Sequence, residues 1–273
     1  MARTATLRQY PLDSSNDCNQ RVAPLQYVCM RLKGAVAIIT GASRGLGKAV
    51  ARRFAQEGAR LGICGRNAAA VEEVAREIRH AGGTVLALKA DVAVDRDVDR
   101  LVASVLKSFG RIDVLVNNAS LLSPKTPVHQ VRIVDWDAVI AVNLRGSFLC
   151  LRAVWPHMMA QRQGSIINVS SGAGKRAAPL WGPYAVTKFG VEGLTLLAAD
   201  EGREGGVRVN AVNPGGIRTD MRARAYPEED PMTLPPPEEI TGVFVYLASE
   251  ASREVTGHSI DAQEWLTTHP IWR

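Results

Sequence analysis

The chain has 273 residues, of which 46% are apolar and 22% charged, enough for a packed core and too apolar for global disorder. Its net charge of +6 arises from 33 Lys and Arg mixed among 27 Asp and Glu, with no basic run interleaved with aromatics, so no nucleic-acid partner is expected. No stretch reads as a membrane span, and Cys18, Cys29, Cys64 and Cys150 have neither metal-ligand nor CxxC spacing. The expectation is therefore a soluble, cytoplasmic protein without a metal or a membrane partner.

Residues 1–30 stand apart. Polar clusters from Asp13 to Gln20, two prolines and no sustained apolar period predict a poorly ordered extension, and the continuous apolar centre of a secretory signal is missing. Residues 31–273 read as one domain. AVAIIT (35–40) is a short apolar run ending in a glycine turn, hence a buried strand, and GKAVARRFAQEG (47–58) has helical spacing with a glycine stop. RLGIC (60–64) is the next strand. Residues 67–81 form a helix with Val71, Val74, Ala75 and Ile78 on one face.

TVLALKAD (84–91), a helix at 94–108 and IDVLVNNA (112–119) repeat the unit. A long helical stretch over 132–162 leads to SIINVSS (165–171), and a helix at 183–203 leads to VRVNAVN (207–213). Uniformly apolar strands imply helices on both sheet faces, so the fold class is α/β: one doubly wound parallel sheet of about seven strands, Rossmann-like. The largest irregular stretch is 216–237, with five of the fourteen prolines between Pro227 and Pro237 ahead of a helix at 238–249.

The turn after the first strand is Thr40-Gly41-Ala42-Ser43-Arg44-Gly45-Leu46-Gly47. So tight a strand-to-helix turn needs backbone that only Gly adopts cheaply, and the helix start turns free N–H groups toward it, a site for a pyrophosphate. Its spacing is G-x-x-x-G-x-G. With ADV (90–92), NNAS (117–120), AVNLRG (141–146), NVSSG (168–172), YAVTK (184–188) and NPGGIRT (213–219) in that order, the chain from 31 to 265 resembles the short-chain dehydrogenase/reductase family in its shorter, soluble subtype.

An acidic residue at the end of the second strand would accept the adenosine ribose hydroxyls and repel a 2′-phosphate. Gly65-Arg66 stands there instead. Arg66 and Arg44 can face that phosphate with their planar forks, so the expected cofactor is NADP(H). The resemblance implies that Gly41, Ser43, Gly45, Leu46 and Gly47 line the turn and that Asp91 binds the adenine amino group beside Val92. It further implies Asn118 and Ala119 along the adenosine, and Pro214, Gly215, Ile217 and Thr219 over the nicotinamide end. Ser120 replaces the family's Gly, and a modest local adjustment is expected.

YAVTK puts Tyr184 and Lys188 four apart at a helix start, on one face. A phenol with a pKa of about 10 needs tuning for acid–base work, and a nearby ammonium pulls it down. Ser171 lies thirteen residues before Tyr184 at the carboxyl end of a strand, where ligands sit in open α/β sheets; Ser170 is its rival as a simple cap, and the spacing favours Ser171. By the resemblance, Tyr184 donates the proton and Ser171 orients the substrate carbonyl. Lys188 holds the nicotinamide ribose, and Asn143 holds a water.

The implied activity is NADPH-dependent reduction of a small carbonyl substrate or oxidation of the matching alcohol. The alternatives are a 3-oxoacyl-carrier-protein reductase, with Arg162 and Arg203 as a basic rim, and a non-catalytic NADP(H) sensor. Leu121, Leu122, Ala173, Trp181 and Met221 are candidates for the pocket wall, and Arg218, Arg222 and Arg224 either attract an acidic substrate or sit on a solvated lid helix. The family pattern and the surplus of apolar residues over 132–162 imply a homotetramer, with a dimer as fallback.

Overall fold

The computed structural model of the protein describes residues 30–272. The expected extension thus lies outside the described residues except for Met30, which packs beside Gly58.

The sheet has seven parallel strands: β1 (Val36–Thr40), β2 (Arg60–Gly65), β3 (Thr84–Lys89), β4 (Val114–Asn117), β5 (Gly164–Val169), β6 (Val207–Asn213) and β7 (Ser259–Asp261). Their spatial order is β3-β2-β1-β4-β5-β6-β7. Register is set by pairs such as Ile38 with Gly62 and Leu115 with Ile166. Every residue of β1, β4 and β5 is buried, as expected of strands covered on both faces.

Helices α1 (Gly45–Gln56) and α2 (Ala68–His80) cover one face with the two carboxy-terminal helices introduced below, around Val50, Phe54, Val74, Ile78, Phe244 and Leu266. α3 (Asp95–Phe109) covers the other with the long central helices, around Leu101, Val105, Leu149, Val154 and Met158. The chain reverses direction across the sheet between β1 and β4. A crevice therefore opens beyond their carboxyl ends, where such sheets bind ligands.

The stretch expected as one helix over 132–162 is α4 (Ile133–Val139), a π-helical segment (Ile140–Arg145) and α5 (Gly146–Gln161) in continuous succession. It is long and apolar enough to cross a membrane, which corrects the expectation that no stretch is; half of its most apolar window is buried, as suits a core helix. α6 (Gly182–Gly202) falls where expected.

β4 stops short of the predicted 112–119 because the N–H groups of Asn118 and Ala119 turn aside to the Thr40 hydroxyl, at 3.0 and 3.1 Å. Within the irregular 216–237 stretch the structure has a short helix, α7 (Asp220–Ala225). The helix expected at 238–249 is a 3₁₀ turn (Pro237–Ile240) followed by α8 (Gly242–Ala248), and α9 (Ala262–Thr268) follows β7. Cys64 and Cys150 are free and buried, and burial pushes the Cys64 thiol up to about 12.

Candidate active site

The glycine turn is built by close approach. Gly41 has φ +64°, and a Cβ there would lie 2.8 Å from the Cα of Ala119. A Cβ on Gly47 would lie 2.4 Å from the Asn118 amide nitrogen and from the Gly41 carbonyl oxygen. Neither position admits a side chain.

Asn118 donates to the carbonyls of Thr40 and Gly41 at 2.9 and 3.1 Å, so it clasps the turn rather than only lining it. Leu46 is buried in the core and leaves only its backbone for a ligand. Arg44 stands at the start of α1 and makes no capping bond, whereas α2 is capped by Asn67 and α7 by Thr219. The uncapped N–H groups of α1 are what an anion requires.

Further sequence-predicted residues flank this turn or follow the ends of β2 and β3. The end of β2 lies against it, since a Cβ on Gly65 would be 3.6 Å from the Ser43 hydroxyl. Arg66 follows, exposed, with no carboxylate partner among the described residues. Arg44 is 3.8 Å from Asp220, both side chains largely exposed. Beyond β3, Asp91 accepts the Ala93 N–H at 3.0 Å, and Val92 packs where a Cβ on Gly146 would be.

On the far side Thr219 comes within 3.5 Å of where a Gly45 Cβ would be, so the segment after β6 reaches over the turn. Gly215, at φ +72°, lies beside Gln263, which donates to the carbonyls of Pro214 and Gly216 at 3.2 and 2.7 Å. Ile217 is buried under this segment. The Ser120 hydroxyl, at the site of the family's Gly, is buried without a partner. A glycine turn without side chains at its tightest points, an uncapped helix and an orphaned hydroxyl fit a dinucleotide.

The four expected catalytic side chains converge at the carboxyl ends of β4 and β5. Tyr184 and Lys188 are buried on the first turns of α6, with the Lys188 nitrogen 5.5 Å from the centre of the Tyr184 ring. Lys188 donates to the Val169 carbonyl at 2.7 Å. The turn bearing Ser171 is pressed against α6, because a Cβ on Gly174 would lie 2.8 Å from the Lys188 carbonyl oxygen. Ser171 neighbours the Tyr184 hydroxyl and also accepts the Ala173 N–H at 3.2 Å as the cap of its turn, whereas Ser170 is turned away to donate to Glu192.

Asn143 lies in the π-helical segment, where the widened turn lets its side chain leave the helix. Its amide accepts from the Leu121 N–H at 2.7 Å and donates to the Leu121 carbonyl at 2.9 Å and to Thr187 at 3.2 Å. Thr187 in turn donates to the Tyr184 carbonyl at 2.7 Å. The side chain of Asn143 therefore ties the loop after β4 to the tyrosine's own turn.

Electrostatics depart from the expectation that the ammonium pulls the phenol down. Burial dominates and raises Tyr184, with the Ser171 hydrogen bond opposing it. Burial also lowers Lys188 from 10.5 to about 8, with Glu192 opposing. Both shifts have one cause, the loss of water around a charge. Tyr184 is consequently a protonated phenol at neutral pH, fit to donate.

For Lys188 the folded value is lowered, so the unfolded chain binds more protons between about pH 8 and the ordinary lysine value. Stability of the ligand-free protein should therefore rise with pH across that window. Denaturant midpoints from about pH 7 to about pH 10 should show the rise, and Lys188→Met should flatten it.

Several participants escaped the sequence reading. Thr40, Thr187, Glu192 and Gln263 hold the named residues in place, and the first two sit inside quoted motifs, where a hydroxyl at a strand end or one turn along a helix was the available signal. Arg162 and Arg203, the candidates for a carrier-protein rim, lie at the opposite, amino edge of the sheet beside Gly164 and Val207. They face away from Tyr184.

A model of the family described as short chain dehydrogenase matches residues 35–230. The chain is 40% identical over 237 residues to the 3-oxoacyl-(acyl-carrier-protein) reductase of Synechocystis sp., covering 84% of this chain and 96% of that protein. A putative short chain dehydrogenase from Pseudomonas syringae superposes with a TM-score of 0.81 at 40% identity, covering 86% of this chain and 97% of that one. A putative short chain dehydrogenase from Shigella flexneri complexed with NADP superposes with a TM-score of 0.82 at 32% identity, covering 86% of this chain and 99% of that one.

Proposed function

The chain belongs to the short-chain dehydrogenase/reductase family, and on that premise we propose that it is an NADPH-dependent reductase of aldehydes or ketones with Tyr184 as proton donor. One observation carries the reading: a buried Tyr184 beside Ser171, with the Lys188 nitrogen 5.5 Å from its ring centre, at the carboxyl ends of β4 and β5. NADPH supplies the hydride when bound there. Gly41, Ser43, Arg44, Gly45, Leu46 and Gly47 would hold its pyrophosphate, with Arg66 at the 2′-phosphate and Asp91, Val92, Asn118 and Ala119 along the adenosine. Pro214, Gly215, Ile217 and Thr219 would cover the nicotinamide.

The chain's own part is position and proton. Ser171 holds the substrate oxygen, Tyr184 delivers its phenolic proton to that oxygen, and the Lys188 ammonium stabilises the phenolate left behind. Lys188 also reaches the nicotinamide ribose. Following NADPH absorbance against aldehydes, ketones and 3-oxoacyl thioesters tests the reading, and no turnover on any of them would overturn it.

The Synechocystis relative favours a second reading, 3-oxoacyl-carrier-protein reduction. The remote placement of Arg162 and Arg203 removes the basic rim on which it leaned, and the thioester arm of the panel decides. A sensor without turnover has no need of an intact Ser171, Tyr184 and Lys188.

Assembly belongs to the same proposal. Val186, Phe189, Leu196 and Leu197 form one exposed apolar stripe along α6, and Phe148 is exposed on α5. A monomer gains nothing by showing such a stripe to water. We expect a cytoplasmic homotetramer, or a dimer at the least, built on these helices. Light scattering at micromolar concentration should give a multiple of the 29.5 kDa chain mass, and a monomer would refute the assembly.

A further inference from the structure

Lys125 lies on the loop between β4 and α4, and its ammonium sits among aromatic rings that lead to Tyr184. Its nitrogen is 4.1 Å from the centre of the Tyr226 ring and 5.2 Å from that of Trp181. The two rings are 5.8 Å apart, and Trp181 is 5.6 Å from Tyr184. The ammonium therefore stands one indole ring away from the reacting phenol.

Its placement is built. Leu180 adopts φ +71°, left-handed backbone that few residues other than Gly accept, and this turn presents Trp181 to Tyr184. The Leu180 carbonyl accepts the N–H of Thr126 at 3.1 Å, so the turn is stitched to the residue next to Lys125. Three elements, the loop after β4, the turn before α6 and the segment after α7, thus meet around one cation.

That cation lacks an anion. Lys125 has no carboxylate oxygen within 4.0 Å among the described residues. The neighbouring guanidinium differs: Arg222 also lies over Tyr226, at 3.8 Å, but it is held by Glu229 through two bonds of 2.6 and 2.7 Å. Arg222 is thereby neutralised, and of the lid arginines it cannot serve an acidic substrate without breaking that pair. The ring faces attract the ammonium and fix its position, while Lys125 stays exposed on its open side, where a charge pair can form. A single ammonium offers one point charge, enough to pair with a carboxylate.

We infer that the enzyme's substrates are carbonyl compounds bearing a carboxylate, which Lys125 receives while Trp181 and Tyr226 flank the apolar spacer. The inference rests on the carbonyl-reductase reading above and names the substrate class for that site.

The test compares straight-chain oxo acids, from 4-oxopentanoate to 7-oxooctanoate, with their methyl esters. Binding to the full chain saturated with NADP⁺ is read by calorimetry, alongside kcat/KM with NADPH. The best acid should bind at least about tenfold more tightly than its ester, the size of one charge-assisted contact. Lys125→Gln should erase that difference through the acid alone, and Lys125→Arg should keep most of it.

Equal affinity for acid and ester in the wild type overturns the inference. So does a Lys125→Gln variant that weakens both alike, which would make Lys125 a mere brace for the rings. Reduction of neutral ketones with no preference for acids leaves the reductase reading standing while the carboxylate site falls. Acid-selective binding lost in Lys125→Gln, without NADPH oxidation on any substrate, keeps the carboxylate site and overturns the reductase reading.

Discussion

Tyr184→Phe should lower turnover at least about a hundredfold while NADPH affinity changes less than about twofold. The substitution removes the one hydroxyl and keeps the ring, which stays packed 5.6 Å from Trp181 on the first turn of α6. Ser171 lies beside that hydroxyl, but an aliphatic alcohol is a far weaker acid than a phenol and does not replace it. Burial raises the phenol in the ligand-free chain, so the wild type keeps its proton through neutral pH.

Lys188→Ala should behave differently, harming both turnover and cofactor binding, because the proposed role of its ammonium is double, beside the phenol and at the nicotinamide ribose. Single-turnover NADPH oxidation and a fluorescence titration of NADPH separate the two effects. Small and equal losses from Tyr184→Phe and Lys188→Ala would mean that neither takes part in turnover, and the reductase reading would go with them.

Much of this site is legible without coordinates because its chemistry is concentrated in short strings. The glycine turn announces itself, since only Gly tolerates the backbone of Gly41 and the crowding at Gly47. Tyr184 and Lys188 share a helix face by arithmetic. The sheet is equally plain, because strands such as VAIIT and GSIINV carry no alternation.

What escaped was whatever depends on contacts distant in sequence. β7 has three residues and a single apolar one, too short to show a period, and it exists because Ala211 to Asn213 offer an edge to pair with. The π-helical segment looks like ordinary helix in sequence. Only the bonds from Asn143 to Leu121 and Thr187 show why the helix widens there. Lys125 sits in a stretch with no periodicity, and its meeting with Trp181 and Tyr226 joins three separate loops. The sign of the Tyr184 shift was misjudged for a related reason: the spacing displays the neighbouring charge but not the depth of burial, and burial dominates.

Cofactor choice should turn on Arg66. A 2′-phosphate carries nearly two negative charges, and one charge-assisted pair with a guanidinium contributes about 1.5–3 kcal/mol. Arg66 is exposed and has no carboxylate partner among the described residues, so Arg66→Ala costs the fold little and removes only what it offers a ligand. NADPH binding should weaken by roughly ten- to a hundredfold while NADH, with no phosphate to lose, is nearly unaffected.

Arg44 cushions the loss. Its 3.8 Å contact with Asp220 is long and exposed, so a phosphate can draw it away, and the single change should fall toward the lower end. Reversal needs a repulsive element as well, which Gly65→Asp supplies by placing a carboxylate where the phosphate would sit and where ribose hydroxyls can donate.

The structure adds a condition that the sequence does not show. A Cβ at position 65 would lie 2.9 Å from a Val71 methyl, so α2 must shift or Val71 must turn, and overpacking of this kind costs about 1–3 kcal/mol. Gly65→Asp with Arg66→Ala should therefore prefer NADH at a lowered melting temperature, and adding Val71→Ala should relieve the clash without restoring NADPH. Titrations of both cofactors at moderate salt decide the matter. A wild type that binds NADH as tightly as NADPH would remove Arg66 from the 2′-phosphate and NADP(H) from the proposed function.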